Sequence, residues 1–264
     1  MSHALRQSAR IRAIAWRDLT ALRRREQVQE LLLPVPFLLA ARAAFAWDVP
    51  LLPWVASAYF FLAGLRLVHD AFHDNLALPR PAGHALLVTL SGMMLGSMHA
   101  VRLTHLQHHR DCLGPDDVEG QTARRSAIGA IGAGIVFPFQ LHHAAWRRAS
   151  RTDRRYIAGE LLLTAMLLAF AATQGSAQLT HHVALMVIAQ AMTGFFAVWT
   201  VHHDVDDERQ VARTLRHRVK SGLALGMLFH LEHHLFPRVP TRHLPQLAER
   251  LDRAAPELSK VTVY

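Results

Sequence analysis

The chain has 264 residues, of which 51% are hydrophobic, with a mean hydropathy of +0.13 and a net charge of +9 from 29 Lys and Arg against 20 Asp and Glu. That balance suits one substantial domain of unusually apolar character, and the single Cys112 excludes an internal disulfide, an iron–sulfur cluster or a rubredoxin-type site, each of which needs more than one thiol. The basic residues, concentrated at 6–25, 147–155 and 209–220, stand without stacking aromatics or a nucleic-acid motif, so nucleic acid is not the expected partner; arginines gathered on the cytoplasmic side of a small integral membrane protein account for them better.

In chain order, residues 1–30 carry arginines throughout and no apolar core, which is not the pattern of a signal peptide. Ile11, Ile14, Leu19 and Leu22 among those arginines predict an amphipathic cytoplasmic segment lying on an anionic leaflet. A helix needs about 20 apolar residues to cross a hydrocarbon core about 30 Å thick. Four stretches meet this: 31–47, 51–68, 157–173 and 180–201. The first two are separated by Asp48, Val49 and Pro50, and the last two by residues 174–179, so each pair is predicted to be a transmembrane hairpin. Neither hairpin tip contains Lys or Arg, which places both termini and the central segment on the cytoplasmic side. Two shorter apolar stretches, 85–98 and 127–141, are interrupted by glycines and Pro138 and are expected in the interface or dipping in partway. Arg42 falls inside the first span, where a charge costs about 2.5–3.5 kcal/mol on insertion scales, and is expected to line the interior or to snorkel. With no repeat, linker or low-complexity tract, residues 1–264 form a single domain. The fold class is all-α: about four transmembrane helices as two hairpins, with interfacial and cytoplasmic helices.

Three histidine clusters lie along this chain: His69 and His73, then His105, His108 and His109, then His230, His233 and His234. Residues three and four apart share one face of a helix, so each cluster presents its rings together. All three fall on the side assigned to the cytoplasm, although they played no part in placing the spans. Neutral imidazole binds iron, copper, zinc and nickel alike, so residue type does not choose the metal. The count says more, because a catalytic zinc needs three protein ligands and one open position. Two metal ions, each holding about four histidines, use all eight. His202 and His203 follow the fourth span, and only one of two neighbours about 100° apart on a helix can face inward. The isolated His3, His84, His99, His217 and His243, and the pairs His142–His143 and His181–His182, are expected to be exposed or satisfied polar residues.

The pattern HxxxH, HxxHH and HxxHH, set after the second and fourth of four spans, resembles the membrane fatty acid desaturase superfamily, which includes acyl desaturases and carotenoid hydroxylases and ketolases. Leu235-Phe236-Pro237-Arg238-Val239-Pro240, with Leu244, Pro245 and Leu247, resembles the continuation in acyl-lipid desaturases, and Asp116, Asp117 and Glu119 resemble the acidic stretch that follows the second box. The resemblance implies a non-haem di-iron centre using O₂ to abstract hydrogen from an unactivated C–H bond. It implies His69, His73, His105, His108, His109, His230, His233 and His234 as ligands. The run from His203 to Asp207 resembles the family's QHxFED segment and favours His203 over His202 as a further ligand. It also implies a lipid substrate, and the absence of a fused haem-binding domain points to electrons from a separate donor such as a ferredoxin.

Asp70, Asp74, Asp204 and Glu232 are the candidate carboxylates for orienting the imidazoles. Phe60, Phe61, Phe195, Phe196 and Trp199 are candidates for an apolar tunnel near the inner ends of spans two and four. The expected activity is an oxygen-dependent lipid desaturase in the inner membrane of a bacterium, with a carotenoid-type hydroxylase or ketolase as the alternative. A His-rich metal transporter would distribute its ligands along a path through the spans rather than gather them at one face. A membrane zinc hydrolase would carry an HExxH-type motif, which does not occur.

Overall fold

A computed structural model describes residues 9–205, 211–256, 258 and 263. His3, Asp206 and Asp207, and with them part of the N-terminal segment and of the acidic run after His203, lie outside the described residues. The described chain is all-α, and its elements follow from simple local signals. Three of the helices begin at serines whose side chains cap them: Ser97 accepts from the amide of Ala100, Ser150 forms a reciprocal capping box with Asp153, and Ser176 accepts from the amide of Leu179.

Four helices are long and apolar enough to cross a membrane: α1 (Arg24–Ala46), α2 (Leu52–Phe72), α7 (Arg151–Gln174) and α8 (Ala177–His202). The two hairpins expected from sequence are present, with α1 against α2 and α7 followed directly by α8. The second tip turns through Gly175, whose φ of +58° is a left-handed conformation suited to glycine at the end of a helix. α2 is the inner helix: 56% of its most apolar window is buried, against 17% for α7, whose Leu162, Met166 and Phe170 face outward as a lipid-contacting surface does. The first, third and fourth spans begin earlier than the sequence suggests, and α2 continues through His69 to Phe72, so the first histidine cluster is at the last turn of a span rather than in the segment after it.

The two short apolar stretches are bent pairs. α3 (Arg80–Met94) meets α4 (Met98–Arg110) at 107°, and α5 (Ala127–Ala133) meets α6 (Phe137–Arg148) at 66°. Each pair is compatible with a broken span or a re-entrant loop, which raises the upper count of spans to six. At the α5–α6 turn, Gly134 lies against α8 so closely that a Cβ there would sit 1.9 Å from the carbonyl oxygen of Ala191. The α3–α4 bend is held by Glu160 of α7, whose buried carboxylate accepts from the Ser97 hydroxyl at 2.5 Å and the His99 amide at 3.2 Å and lies 2.6 Å from His99 Nδ1. This contact aims α4, and with it the second histidine cluster.

Beyond α8 the chain forms short α9 (Arg218–Leu223), α10 (His230–Leu235) and α11 (Leu244–Ala254). Here the N-terminal segment departs from expectation. Ile11, Ile14 and Leu19 are buried in one core with Leu231, Leu235, Leu244, Leu247 and Leu251. The apolar face predicted to lie on a leaflet is covered by α10 and α11, which offer it a protein surface to pack on. Arg42 is exposed near the end of α1 and does not line the interior.

Candidate metal centre

Four separate elements deliver the histidines to one buried place. His69 and His73 come from the end of α2, His105, His108 and His109 from the C-terminal turns of α4, His202 from the last turn of α8, and His230, His233 and His234 from α10. All nine rings are buried. They fall into two groups. In the first, ligand atoms of His69, His73, His105, His109 and His233 lie within 4.8 Å of one another. The second contains His108, His202 and His234, and His230 joins it with its Nε2 at 2.9 Å from that of His202 and 3.1 Å from that of His234.

The nitrogens meet in a way that hydrogen bonding does not explain. His202 Nε2 lies 3.1 Å from His108 Nε2 and 2.9 Å from His230 Nε2. An imidazole nitrogen has either one proton or one in-plane lone pair, so it cannot serve two such neighbours well. Two nitrogens bound side by side to one transition metal at about 2.0–2.1 Å are themselves about 3 Å apart, and His73–His105 and His109–His233 repeat that separation at 3.1 and 2.9 Å. Among the described residues neither ring nitrogen of the buried His69 has a hydrogen-bond partner, which without a ligand leaves polar atoms costing about 1–3 kcal/mol each. An all-nitrogen donor set of this kind suits a transition metal such as iron.

The geometry takes His202, not His203, into the cluster, against the preference for His203. The His203 ring turns away, lies parallel to Trp199 with centroids 3.9 Å apart, and places Nδ1 2.8 Å from the Trp199 carbonyl oxygen. The cause is local: Gly194–Trp199 is π-helical. A π turn holds an extra residue and rotates everything after it relative to a regular α-helix, so the ordinary helical wheel does not tell which neighbour faces inward.

The carboxylates that touch the rings also differ from the expected ones. Asp117 Oδ2 lies 2.7 Å from His108 Nδ1, and Glu119 Oε2 lies 3.2 Å from His105 Nδ1 while Glu119 Oε1 accepts from the Thr104 hydroxyl at 2.9 Å. Both belong to the acidic stretch after the second box, the one signal in the sequence that pointed to them. Asp70 instead accepts from the amide and hydroxyl of Thr241, both at 3.0 Å, and Glu232 accepts from the Thr214 hydroxyl and Arg216. Asp74 and Asp204 are exposed. Asp117 is held below the usual carboxylate range: burial works against the charge, but the hydrogen bonds from His108 and from the Leu113 and Gly120 amides outweigh it. Because a partner of this kind fixes ring orientation, Asp117→Asn is expected to weaken metal binding about 10–100-fold, measured by competition with a chelator.

Burial, before any other cause, pushes the His73 imidazole down to about 2 and those of His230, His233 and His234 well below their ordinary range. Those four rings of the folded centre are therefore neutral and ready to donate. In the unfolded chain these histidines titrate near 6.5. Below that pH the unfolded chain takes up protons that these folded rings refuse, so their contribution to stability is complete above about pH 6.5 and is lost as pH drops toward 2. Circular dichroism and bound metal followed together on acidification should both decline from about pH 6.5 downward.

An apolar cavity of about 560 Å³ reaches the cluster from between α2 and α8. His69, His105, His108 and His230 line its inner end, and Phe61, Leu65, Phe72, Leu185, Met192 and Phe196 are among its walls. Of the proposed tunnel aromatics, Phe61 and Phe196 line it, whereas Phe60, Phe195 and Trp199 do not.

The profile of a family described as fatty acid desaturase matches residues 45–263, which include all nine histidines of the cluster. The chain belongs to the fatty acid desaturase family. A search of curated proteins finds no match to it. Three further histidines of this family member have partners outside the cluster: His142 Nε2 accepts from the Ser97 amide at 2.9 Å, His182 Nε2 lies 2.9 Å from the Met93 carbonyl oxygen, and His243 Nδ1 lies 2.8 Å from that of Leu19.

Proposed function

We propose that this chain is an oxygen-dependent membrane lipid desaturase whose ligands are His69, His73, His105, His108, His109, His202, His230, His233 and His234, holding two iron ions. One observation carries the reading: an apolar cavity walled by membrane-spanning helices is lined by buried imidazoles of both groups, His69 and His105 of the first and His108 and His230 of the second. The irons, when bound, supply the oxidising power to take hydrogen from an unactivated C–H bond with O₂ as oxidant. The protein's own part is to hold the imidazoles of His108 and His105 in place through Asp117 and Glu119, and to keep a hydrocarbon chain against the cluster in an apolar space. Saturated hydrocarbon offers no handle for acid–base catalysis, so position alone decides which bond reacts.

Forming one double bond takes two hydrogens from the lipid and, with two further electrons from the donor and two protons from solvent, reduces O₂ to two waters. With a single cysteine the chain cannot form an iron–sulfur cluster of its own, so a separate donor such as a ferredoxin supplies the electrons. The hairpin tips carry no Lys or Arg, which supports a metal centre on the cytoplasmic side.

Lipid and pigment profiles of cells expressing the chain, compared with the His109→Ala variant and with oxygen-starved cells, test the reading. The expected product has two hydrogens fewer than its parent and requires both oxygen and His109. A product that gains oxygen moves the assignment to a hydroxylase or ketolase of the same family. Identical profiles in all three cultures overturn it.

A further inference from the structure

Cys112 belongs to none of the histidine boxes, yet its Sγ lies 3.9 Å from His108 Nε2 and stands beside the His202 ring, 3.9 Å from the Nδ1 that the Val211 carbonyl holds. We propose that the Cys112 thiol is a donor to the second metal, so that the centre pairs an all-nitrogen site with a mixed nitrogen–sulfur one. The inference rests on the reading of the cluster as a two-metal centre.

The cysteine is one corner of a group, not an isolated thiol. Ligand atoms of His108, Cys112, His202 and His234 lie within 4.8 Å of one another, and all four residues are at least 97% buried. The sulfur also lies 3.8 Å from the Val211 carbonyl oxygen, too far for more than a weak hydrogen bond from a weak donor. A nitrogen and a sulfur bound to one metal, at about 2.0–2.1 and 2.3 Å, are roughly 3.1–3.6 Å apart. A movement of a few tenths of an ångström therefore brings the sulfur to bonding distance.

Two further features aim it there. Cys112 continues the face of His105, His108 and His109 by one more turn, although α4 itself ends at Arg110. Asp117 Oδ2 then takes both His108 Nδ1, at 2.7 Å, and the amide of Leu113, at 2.9 Å. One carboxylate thus fixes the ligand ring and the backbone next to the thiol. The donor count agrees: the first group has five imidazoles, and the second, His108, His202, His230 and His234, reaches five donors with the sulfur. A bound metal would hold the sulfur as thiolate even in this buried place.

Cobalt(II) provides the test, because a thiolate bound to it gives an intense near-ultraviolet charge-transfer band that imidazole does not. The full chain in detergent, stripped by a chelator, is reloaded with cobalt(II). The expected result is two cobalt ions per chain with that band. In Cys112→Ser the band disappears while the visible bands of histidine-bound cobalt persist, and the second cobalt binds about 10–100-fold more weakly, the scale on which disturbed ligand surroundings act. In His109→Ala the band survives although the first site loses its ion. Two bound cobalt ions without the band in the unmodified chain, or a band that persists in Cys112→Ser, overturns the thiolate ligand alone. A chain that takes up no cobalt overturns the two-metal reading together with it.

Discussion

In His202→Ala, bound iron and product formation are both expected to fall to background, while His203→Ala keeps both near the level of the unmodified chain. His202 is 1% exposed and its Nε2 meets those of His108 and His230 at 3.1 and 2.9 Å. Its other nitrogen is fixed by the Val211 carbonyl oxygen at 2.9 Å, which sets the ring's orientation. Losing it removes a donor outright, so the loss should exceed the roughly 10–100-fold that follows removal of an outer partner. Among the described residues the His203 side chain makes a stack on Trp199 and a contact to its backbone, worth about a kcal/mol of local stability. Metal content by elemental analysis on both purified variants separates the two. Equal iron in both would show that the π turn does not select between them.

Much of this centre is readable from the chain because a helix converts spacing into direction. His105, His108 and His109, and likewise His230, His233 and His234, need only a regular helix to share a face, and both segments are regular helices. The four spans are readable for a similar reason, since apolar length is a property of the sequence itself. What fails to be readable depends on irregular backbone or on distant contacts. The inward turn of His202 follows from a π-helical segment, and no residue type announces one. Asp117 and Glu119 reach their rings through a loop, whereas Asp70 and Glu232, adjacent in sequence to ligands, serve Thr241 and Thr214 instead. Neighbours in a helix point about 100° apart, so adjacency to a ligand is a poor guide to which carboxylate supports it. The covering of Ile11 and Ile14 by α10 and α11 is a long-range contact, and an amphipathic pattern cannot say whether lipid or protein will meet it. Cys112, by contrast, lies at the readable spacing of seven from His105.

Ala189→Phe is expected to reduce product formation at least about tenfold, equivalent to roughly 1.4 kcal/mol on the barrier, while leaving bound iron unchanged. Ala189 lines the cavity from α8 at a distance in sequence from every ligand. A ring at this position takes volume from the approximately 560 Å³ that a hydrocarbon chain would occupy, and close-packed walls cannot yield much space without strain. A chain stopped short of the imidazoles has no other means of reacting, because nothing but position makes one of its C–H bonds more reactive than the next. If the blocked chain still reaches the centre by sitting less deeply, the double bond moves along it. Mass spectrometry of the lipid products therefore reads either a loss or a shift of bond position as evidence that substrate runs through this cavity. Unchanged yield and unchanged position, with iron retained, would mean that substrate approaches the metals by another route.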